Sequence, residues 1–338
     1  MKKVLVTGGF GFIGSHLIEG LLEDPNTHVH VVDNLSSNPI PHQRLLEELD
    51  NPERLTYTIC SVEQFCDKYW TAYNFNEIYH LASVVGPAGV IEHIGRMATS
   101  IVDDTYNIIK IALSYGARLL DVSTSEVYGG GVEGYCSEDM HSVITQRYSA
   151  RLEYAVAKLA SEIMLVNTVK ISNLWAAIVR PFNVAGPRQS GVGGFVLPRF
   201  VGCAQGQKPL TVYGDGTAVR AFTHVKDIVA GLMLVMEGGR KGQIYNMGNP
   251  DNKTTIDALA EKVLSIIPNP AGKVFIDPRT IFGPLFEEAN DKFPDARKSM
   301  ALGWTPTRGI DVAIRELAQY NSTLPQTLRE QMLGKQPD

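Results

Sequence analysis

Apolar positions in the first half of the chain fall into short runs separated by longer amphipathic stretches. The runs at 4–7, 28–32, 55–59, 77–81 and 118–123 predict strands. The stretches 13–23, 43–49, 62–70 and 99–115 between them predict helices. A further helix is expected over 150–169, leading into a strand at 174–180. Strands that alternate with helices in this way predict a parallel sheet covered on both faces, the doubly wound α/β class.

Beyond Pro181 the texture changes. Pro and Gly punctuate 187–194, 206–209 and 214–216, and helices are expected at 227–236, 254–266 and 309–320. The main boundary therefore falls near residue 180. A Rossmann-type unit over 1–180, completed by elements within 218–250, precedes a smaller lobe over 181–338. No internal repeat or low-complexity segment interrupts this pattern.

Bulk properties narrow the picture only slightly. At 338 residues with 44% apolar content the chain is an ordinary globular one, and its formal charge of −5 disfavours a nucleic-acid partner. The four cysteines, Cys60, Cys66, Cys136 and Cys203, lack CxxC spacing and read as buried or half-buried free thiols. Val4-Leu5-Val6 follows Met1 too closely and ends too soon for a signal peptide or membrane span. A cytoplasmic protein without membrane association is the expectation. His28 and His30 share one face of a strand, but no third ligand is evident, so they are read as structural. His141 lies in a polar loop and suggests no role.

Candidate chemistry begins at Thr7-Gly8-Gly9-Phe10-Gly11-Phe12-Ile13-Gly14, between the first strand and the first helix. Glycines there let backbone approach a pyrophosphate and leave helix N–H groups to receive it. The spacing, Gly8-x-x-Gly11-x-x-Gly14, differs from the common G-x-G-x-x-G. The order strand, loop, helix gives the motif its meaning. Asp33 ends the second strand, about twenty residues on, where a carboxylate accepts from the adenosine ribose. It would also repel a 2′-phosphate, so NAD is expected over NADP.

Tyr154-Ala155-Val156-Ala157-Lys158 places a phenol and an ammonium one helical turn apart on one face. A cation beside a phenol favours the phenolate, bringing tyrosine toward the range of a general base. Tyr106 and Lys110 repeat the spacing but precede the hydroxyl-rich strand end Ser123-Thr124-Ser125-Glu126, whereas Tyr154 follows it. Tyr106 is read as a helix-surface residue.

With these residues the chain resembles the extended short-chain dehydrogenase/reductases, specifically the sugar-nucleotide epimerases, dehydratases and decarboxylases. The matching stretches are 7–14, His80-Leu81-Ala82, 123–129, Tyr154/Lys158, 180–188, Val212-Tyr213-Gly214-Asp215-Gly216 and Leu302-Gly303-Trp304. They span nearly the whole chain in the family's order. The resemblance implies a ketone made at C4 of the sugar. Tyr154 would take the hydroxyl proton while NAD accepts the hydride. Lys158 would hold the nicotinamide ribose, and Thr124 would bond the same sugar oxygen. Gly8, Gly11, Phe12, Ile13, Gly14, Asp33, Asn34, Leu81 and Ala82 would line the cofactor. Asn183 and Arg220 would contact the diphosphate, Arg188 would lie with the substrate, and residues 195–198, including Val196, would enclose the base. A UDP-sugar substrate and a homodimer pairing helices 99–115 and 150–169 follow from the same resemblance.

Three reactions can follow a C4 ketone: re-reduction to the 4-epimer, 4,6-dehydration, or loss of a C6 carboxylate. Thr124-Ser125-Glu126 looks most like UDP-glucuronate decarboxylases and also like GDP-mannose dehydratases. UDP-glucuronate decarboxylation therefore leads, with a 4-epimerase or a 4,6-dehydratase as alternatives and a non-catalytic NAD-binding protein as a remote one. Four departures stand out. Lys292-Phe293-Pro294-Asp295 offers Lys292 where decarboxylases carry an arginine beside the substrate carboxylate. Ser61 stands where an acid near adenine is usual, and His224 where Tyr is frequent. Gly86-Pro87-Ala88-Gly89 makes the loop after the fourth strand atypical.

Overall fold

The computed structural model describes residues 1–37, 40–129, 134–144, 148–283 and 291–332. The apolar runs become strands, and the amphipathic stretches become the helices that cover them. In chain order the central elements are β1 (Lys2–Thr7), α1 (Phe12–Leu22), β2 (Thr27–Asp33), β3 (Leu55–Ile59), α2 (Val62–Lys68), β4 (Glu77–His80), α3 (Met97–Tyr115), β5 (Arg118–Val122), α4 (Ala150–Ile171), β6 (Ala176–Pro181), α5 (Val225–Gly238) and β7 (Ile244–Met247). The seven strands form one parallel sheet in the order β7-β6-β5-β4-β1-β2-β3. The order reverses between β1 and β4, the place where doubly wound sheets open a crevice at their carboxyl ends.

Alternation along the strands divides the interior in two. Val4, Val6, Leu120, Val122, Ala177 and Val179 pack on one face with α1 and α5, through Leu17, Leu21, Ile228 and Leu232. Leu5, Ile78, Leu119, Ala176 and Ile178 pack on the other with Ile108 and Ala112 of α3 and Leu165 and Val169 of α4. The strands are apolar on both faces because both are buried.

The sheet is completed from beyond residue 180, because β7 pairs with β6, register Ile244↔Ile178. The remaining chain builds a lobe over the carboxyl end of the sheet. Its core joins Phe200 and Val201 of the helix Val196–Gln205 to Leu259 and Val263 of Ile256–Ile266 and Ile314 and Leu317 of Ile310–Thr323. Short strand pairs, Leu210–Tyr213 with Lys273–Ile276 and Val219–Ala221 with Lys253–Thr255, edge this lobe.

One expectation changes form. The segment read as an atypical loop after β4 opens a short helix, Gly86–Glu92, with proline in its first turn where the missing N–H costs nothing. Among the described residues no helix is long and apolar enough to cross a membrane.

Candidate active site

One cleft, about 1080 Å³, runs along the carboxyl end of the sheet from Asp33 and Ser61 to Glu126 and Tyr154, then under the second lobe. All the proposed cofactor residues line it, and Gly8 also serves the packing of the backbone. Gly8 has φ +69°, and a Cβ there would lie 2.9 Å from the Ala82 nitrogen. A Cβ at Gly14 would overlap the Gly8 carbonyl. These contacts bring β1, β4 and the start of α1 together, and Thr7 Oγ1 accepts from the Leu81 and Ala82 N–H groups at 3.2 Å each.

Helix α1 begins at Phe12 with Gly11 as its cap, no side-chain cap and no acid in its first turn. Its N-terminal N–H groups thus face the cleft without a competing carboxylate, the donor set a diphosphate requires. Asp33 lies at the end of β2, its Oδ2 accepting from Phe10 N at 2.9 Å and its Oδ1 from Leu35 N at 2.8 Å. Burial raises its pKa, and those two N–H groups oppose the rise. Asn34 uses its side-chain oxygen to accept from Ser36 N. Ser61 lines the same end, but its Oγ accepts from Gln64 N as the cap of α2.

At the other end, Tyr154 and Lys158 lie on the buried face of α4, 8% and 2% exposed. The Tyr154 hydroxyl is hydrogen-bonded to Thr124 and Ser83. Lys158 Nζ donates to the Val122 carbonyl at 3.0 Å. The pair therefore forms at the strand end as its spacing predicts, but with a different electrostatic balance. Burial pushes the Tyr154 phenol well above its ordinary value, and the hydrogen bonds from Thr124 and Ser83 only partly offset this. The physical reason is desolvation: a phenolate in this wall has little water. Tyr106, by contrast, is 53% exposed on α3.

Glu126 sits just beyond Thr124, whose Oγ1 accepts from the Glu126 N–H at 3.2 Å. Burial would raise the Glu126 pKa, but Arg151, Lys292 and Arg220 outweigh it and the carboxyl is held below its usual value. Arg151 Nη1 lies 3.3 Å and Lys292 Nζ 3.6 Å from Glu126 Oε2. Lys292 is 6% exposed, and burial lowers its pKa while Glu126 opposes that. It reaches the site through the pairing of Lys292–Pro294 with Gly134–Cys136, and also donates to the Gly129 carbonyl at 3.2 Å. Ser125 lines the cleft between Thr124 and Glu126.

Arg151 and Ser83 are the residues that the sequence reading missed. Arg151 precedes Tyr154 by three positions, one turn away on the same helix face, which was the available signal. Ser83 directly follows His80-Leu81-Ala82.

In the second lobe, Asn183 has φ +36° and donates one side-chain N–H to the Ala221 carbonyl at 3.3 Å. Arg220 Nη1 donates to the Val219 carbonyl at 2.8 Å and lies 3.4 Å from Asp291 Oδ1. Both line the cleft, as does Val196. Arg188 reaches the wall too, but its guanidinium is spent on Glu19 and Glu48, the latter at 3.1 Å. Burial alone would raise Glu19, yet His16 and Arg188 hold its carboxyl at about 2. Arg188 thus ties the lobe to α1 while it lines the cleft. His224 caps α5, its Nε2 3.2 Å from Glu316, and does not line the cleft. His30 bonds Thr56 and Thr58, and burial lowers its pKa to about 4. None of the four cysteines is in a disulfide among the described residues; Cys136 and Cys203 are buried and the other two half-buried.

A doubly wound sheet with an uncapped first helix, a carboxylate after β2 and a Tyr/Lys pair beyond β5 defines a dinucleotide-dependent α/β protein with a site for a second ligand. The chain belongs to the NAD dependent epimerase/dehydratase family, whose model matches residues 4–248. It is 32% identical over 325 residues to UDP-glucuronic acid decarboxylase 4 of Arabidopsis thaliana, covering 94% of this chain and 69% of that protein. It is 31% identical to the UDP-N-acetyl-alpha-D-glucosaminuronate decarboxylase of Bacillus cytotoxicus, covering 94% of this chain and 97% of that one. Among solved structures it resembles the UDP-glucuronic acid 4-epimerase of Bacillus cereus bound to UDP-glucuronic acid and NAD. The TM-score is 0.81, the identity 25%, and the cover 94% of this chain and 98% of that chain.

Proposed function

We propose that the chain is an NAD-dependent UDP-glucuronate decarboxylase working through a 4-keto sugar. The observation that carries this reading is the charge around Glu126. Three cations, Arg151, Lys292 and Arg220, act on this one carboxylate, and Asp291 answers Arg220. Arg151 and Lys292 both lean on the single carboxylate of Glu126, and this pair of cations lies beside Tyr154 and Thr124, where the C6 carboxylate of a uronate held for oxidation at C4 would be received. A neutral hexose would offer that pair no second carboxylate in a half-buried wall.

NAD, held by the glycine loop, Asp33 and Lys158, would supply the acceptor for the C4 hydride and the means of its return. Tyr154 accepts the C4 hydroxyl proton, with Thr124 and Ser83 orienting the phenol. The ketone is then β to the carboxylate, so breaking the C5–C6 bond releases carbon dioxide and leaves its electron pair in an enolate. A proton added at C5 and the proton returned by Tyr154 to the C4 oxygen complete a pentose. Lys158 holds the nicotinamide ribose, Asn183 and Arg220 the diphosphate, and Asp33 the adenosine ribose. In keeping with the family resemblance, the protein assembles as a homodimer through α3 and α4.

The same carboxylate pocket also suits a 4-epimerase acting on a uronate, so the test separates the two. UDP-glucuronate and NAD are incubated with the protein, and the product is followed by mass spectrometry and proton NMR. Loss of carbon dioxide with a UDP-pentose product is expected. Unchanged mass with inverted C4 would replace decarboxylation by epimerisation. Turnover of UDP-glucose and not of the uronate would overturn the substrate class.

A further inference from the structure

Asp121 is a buried acid that the chemistry above does not use. It lies on β5, 1% exposed, and neither carboxylate oxygen has a hydrogen-bond partner among the described residues. Buried carboxylates are normally paired, so one left bare inside a sheet calls for a reason. Its surroundings supply one. Leu119, two residues earlier on the same strand, packs with Leu165 and Val169 of α4, and Asp121 stands opposite Ile178 of that same packed layer. The alternation of β5 therefore turns Asp121 toward α4.

The α4 residues over this part of the sheet are polar and buried: Lys158 at 2%, Ser161 at 0% and Glu162 at 2% exposure. Glu162 is already bound by Arg180 of β6 at 2.9 and 2.5 Å. On the other side of Asp121, His80 of β4 shares its register position and has Nδ1 2.7 Å from Thr7 Oγ1. Burial, with Lys158 nearby, lowers His80 to about 3, so it stays neutral. Lys158 is the cation that pulls on Asp121; it also pulls on the half-buried Asp104 of α3, which burial raises to about 7, and its Nζ is anchored on the carbonyl of the residue after Asp121, Val122. Burial pushes Asp121 up to about 6, with Lys158 pulling it down and Glu162 pushing it up.

We propose that Asp121 is a positioning residue that acts through Lys158: its buried carboxylate is a counter-charge, beyond hydrogen-bonding reach, that limits how strongly the ammonium favours the Tyr154 phenolate. A tyrosine that takes a proton from C4 and gives it back must bind that proton neither too weakly nor too tightly. Lys158 alone favours the anion, and Asp121 opposes it, since a carboxylate charge near Tyr154 raises its proton affinity. The proposal rests on the assignment of Tyr154 and Lys158 as the proton-handling pair.

The experiment uses the full chain with Asp121→Asn and Asp121→Leu, each also made with Tyr154→Phe. Phenolate absorbance is titrated, and the Tyr154→Phe curve is subtracted to isolate Tyr154. The rising limb of kcat against pH is recorded in parallel. Removing the counter-charge is expected to move both midpoints down by about one pH unit in either variant, with KM for the sugar nucleotide unchanged. Midpoints that coincide with those of the parent protein would overturn the proposal and leave Asp121 without any hold on the pair. Turnover surviving in Tyr154→Phe alone would defeat the assignment of Tyr154 instead, and the absorbance titration would still report on Asp121.

Discussion

At the scale of single residues, the site is defined by how charge is distributed around Glu126. The sequence shows a lysine at 292 where an arginine is expected, which on its own argues against a carboxylate-binding site. The fold answers this from another element, because α4 brings Arg151 to 3.3 Å from Glu126. Arg151 is 29% exposed on its side chain and Lys292 only 6%, so Arg151 faces the cleft more openly. A planar guanidinium suits a carboxylate better than an ammonium does. Charge-assisted hydrogen bonds contribute about 1.5–3 kcal/mol, roughly a 10- to 150-fold change in affinity. Arg151→Met keeps the apolar stem and removes the fork. Calorimetric titration of this variant should show UDP-glucuronate weakened by about that factor and UDP hardly changed. Equal weakening of UDP-glucuronate and UDP would place Arg151 outside the carboxylate pocket.

At the scale of elements, the strands and helices of the first half were legible within one to three residues, because packing on both faces of the sheet imposes its period directly on the sequence. The doubly wound class, the glycine loop, Asp33 and the Tyr/Lys pair were legible for the same reason, since each is fixed by local spacing. The helix Gly86–Glu92 was not, because Gly and Pro are turn signals until the chain around them is known. Arg151 and Asp121 were hidden differently: their meaning depends on which face of α4 and β5 meets which neighbour. The same holds for Arg180 on β6, whose guanidinium grips Glu162 of α4 with both partners nearly buried, 6% and 2% exposed. Tyr128 extends this joint, with Arg180 4.8 Å over its ring and its hydroxyl 2.6 Å from Asn246 Oδ1 on β7. Cutting one side of a buried pair leaves a bare charge, at a cost of about 3–5 kcal/mol, whereas removing both sides together is often nearly neutral. Urea unfolding of Arg180→Met should therefore show a loss of about that size, and Arg180→Met combined with Glu162→Met should recover most of it. Additive losses in the double variant would mean that the two residues stabilise the joint independently.

At the scale of the whole molecule, the question is what covers the outside of α3 and α4. The two helices pack side by side, and their inner faces fill the core against Leu5, Ile78 and Leu119. Their outer faces carry apolar residues seven apart, Tyr106 and Leu113 on α3 and Val156 and Ile163 on α4, exposed by 53, 42, 40 and 54%. Seven residues are two helical turns, so each pair forms one stripe along its helix. Two adjacent apolar stripes on one protomer are self-complementary under a two-fold rotation, which would set α3 and α4 against the same helices of a second copy as a four-helix layer. The stripe on α4 faces away from Tyr154 and Lys158, so assembly would brace the helix that carries them without entering the cleft. Light scattering should then give twice the chain mass for the parent protein, and Ile163→Lys, which puts a charge on each side of the two-fold, should give the single-chain mass. With α4 no longer braced, the variant should unfold at lower urea while NAD titration still reports a site, because Asp33 and the glycine loop lie on β2 and on the turn before α1. A parent protein of single-chain mass at every concentration would remove the dimer and leave these stripes as plain exposed surface.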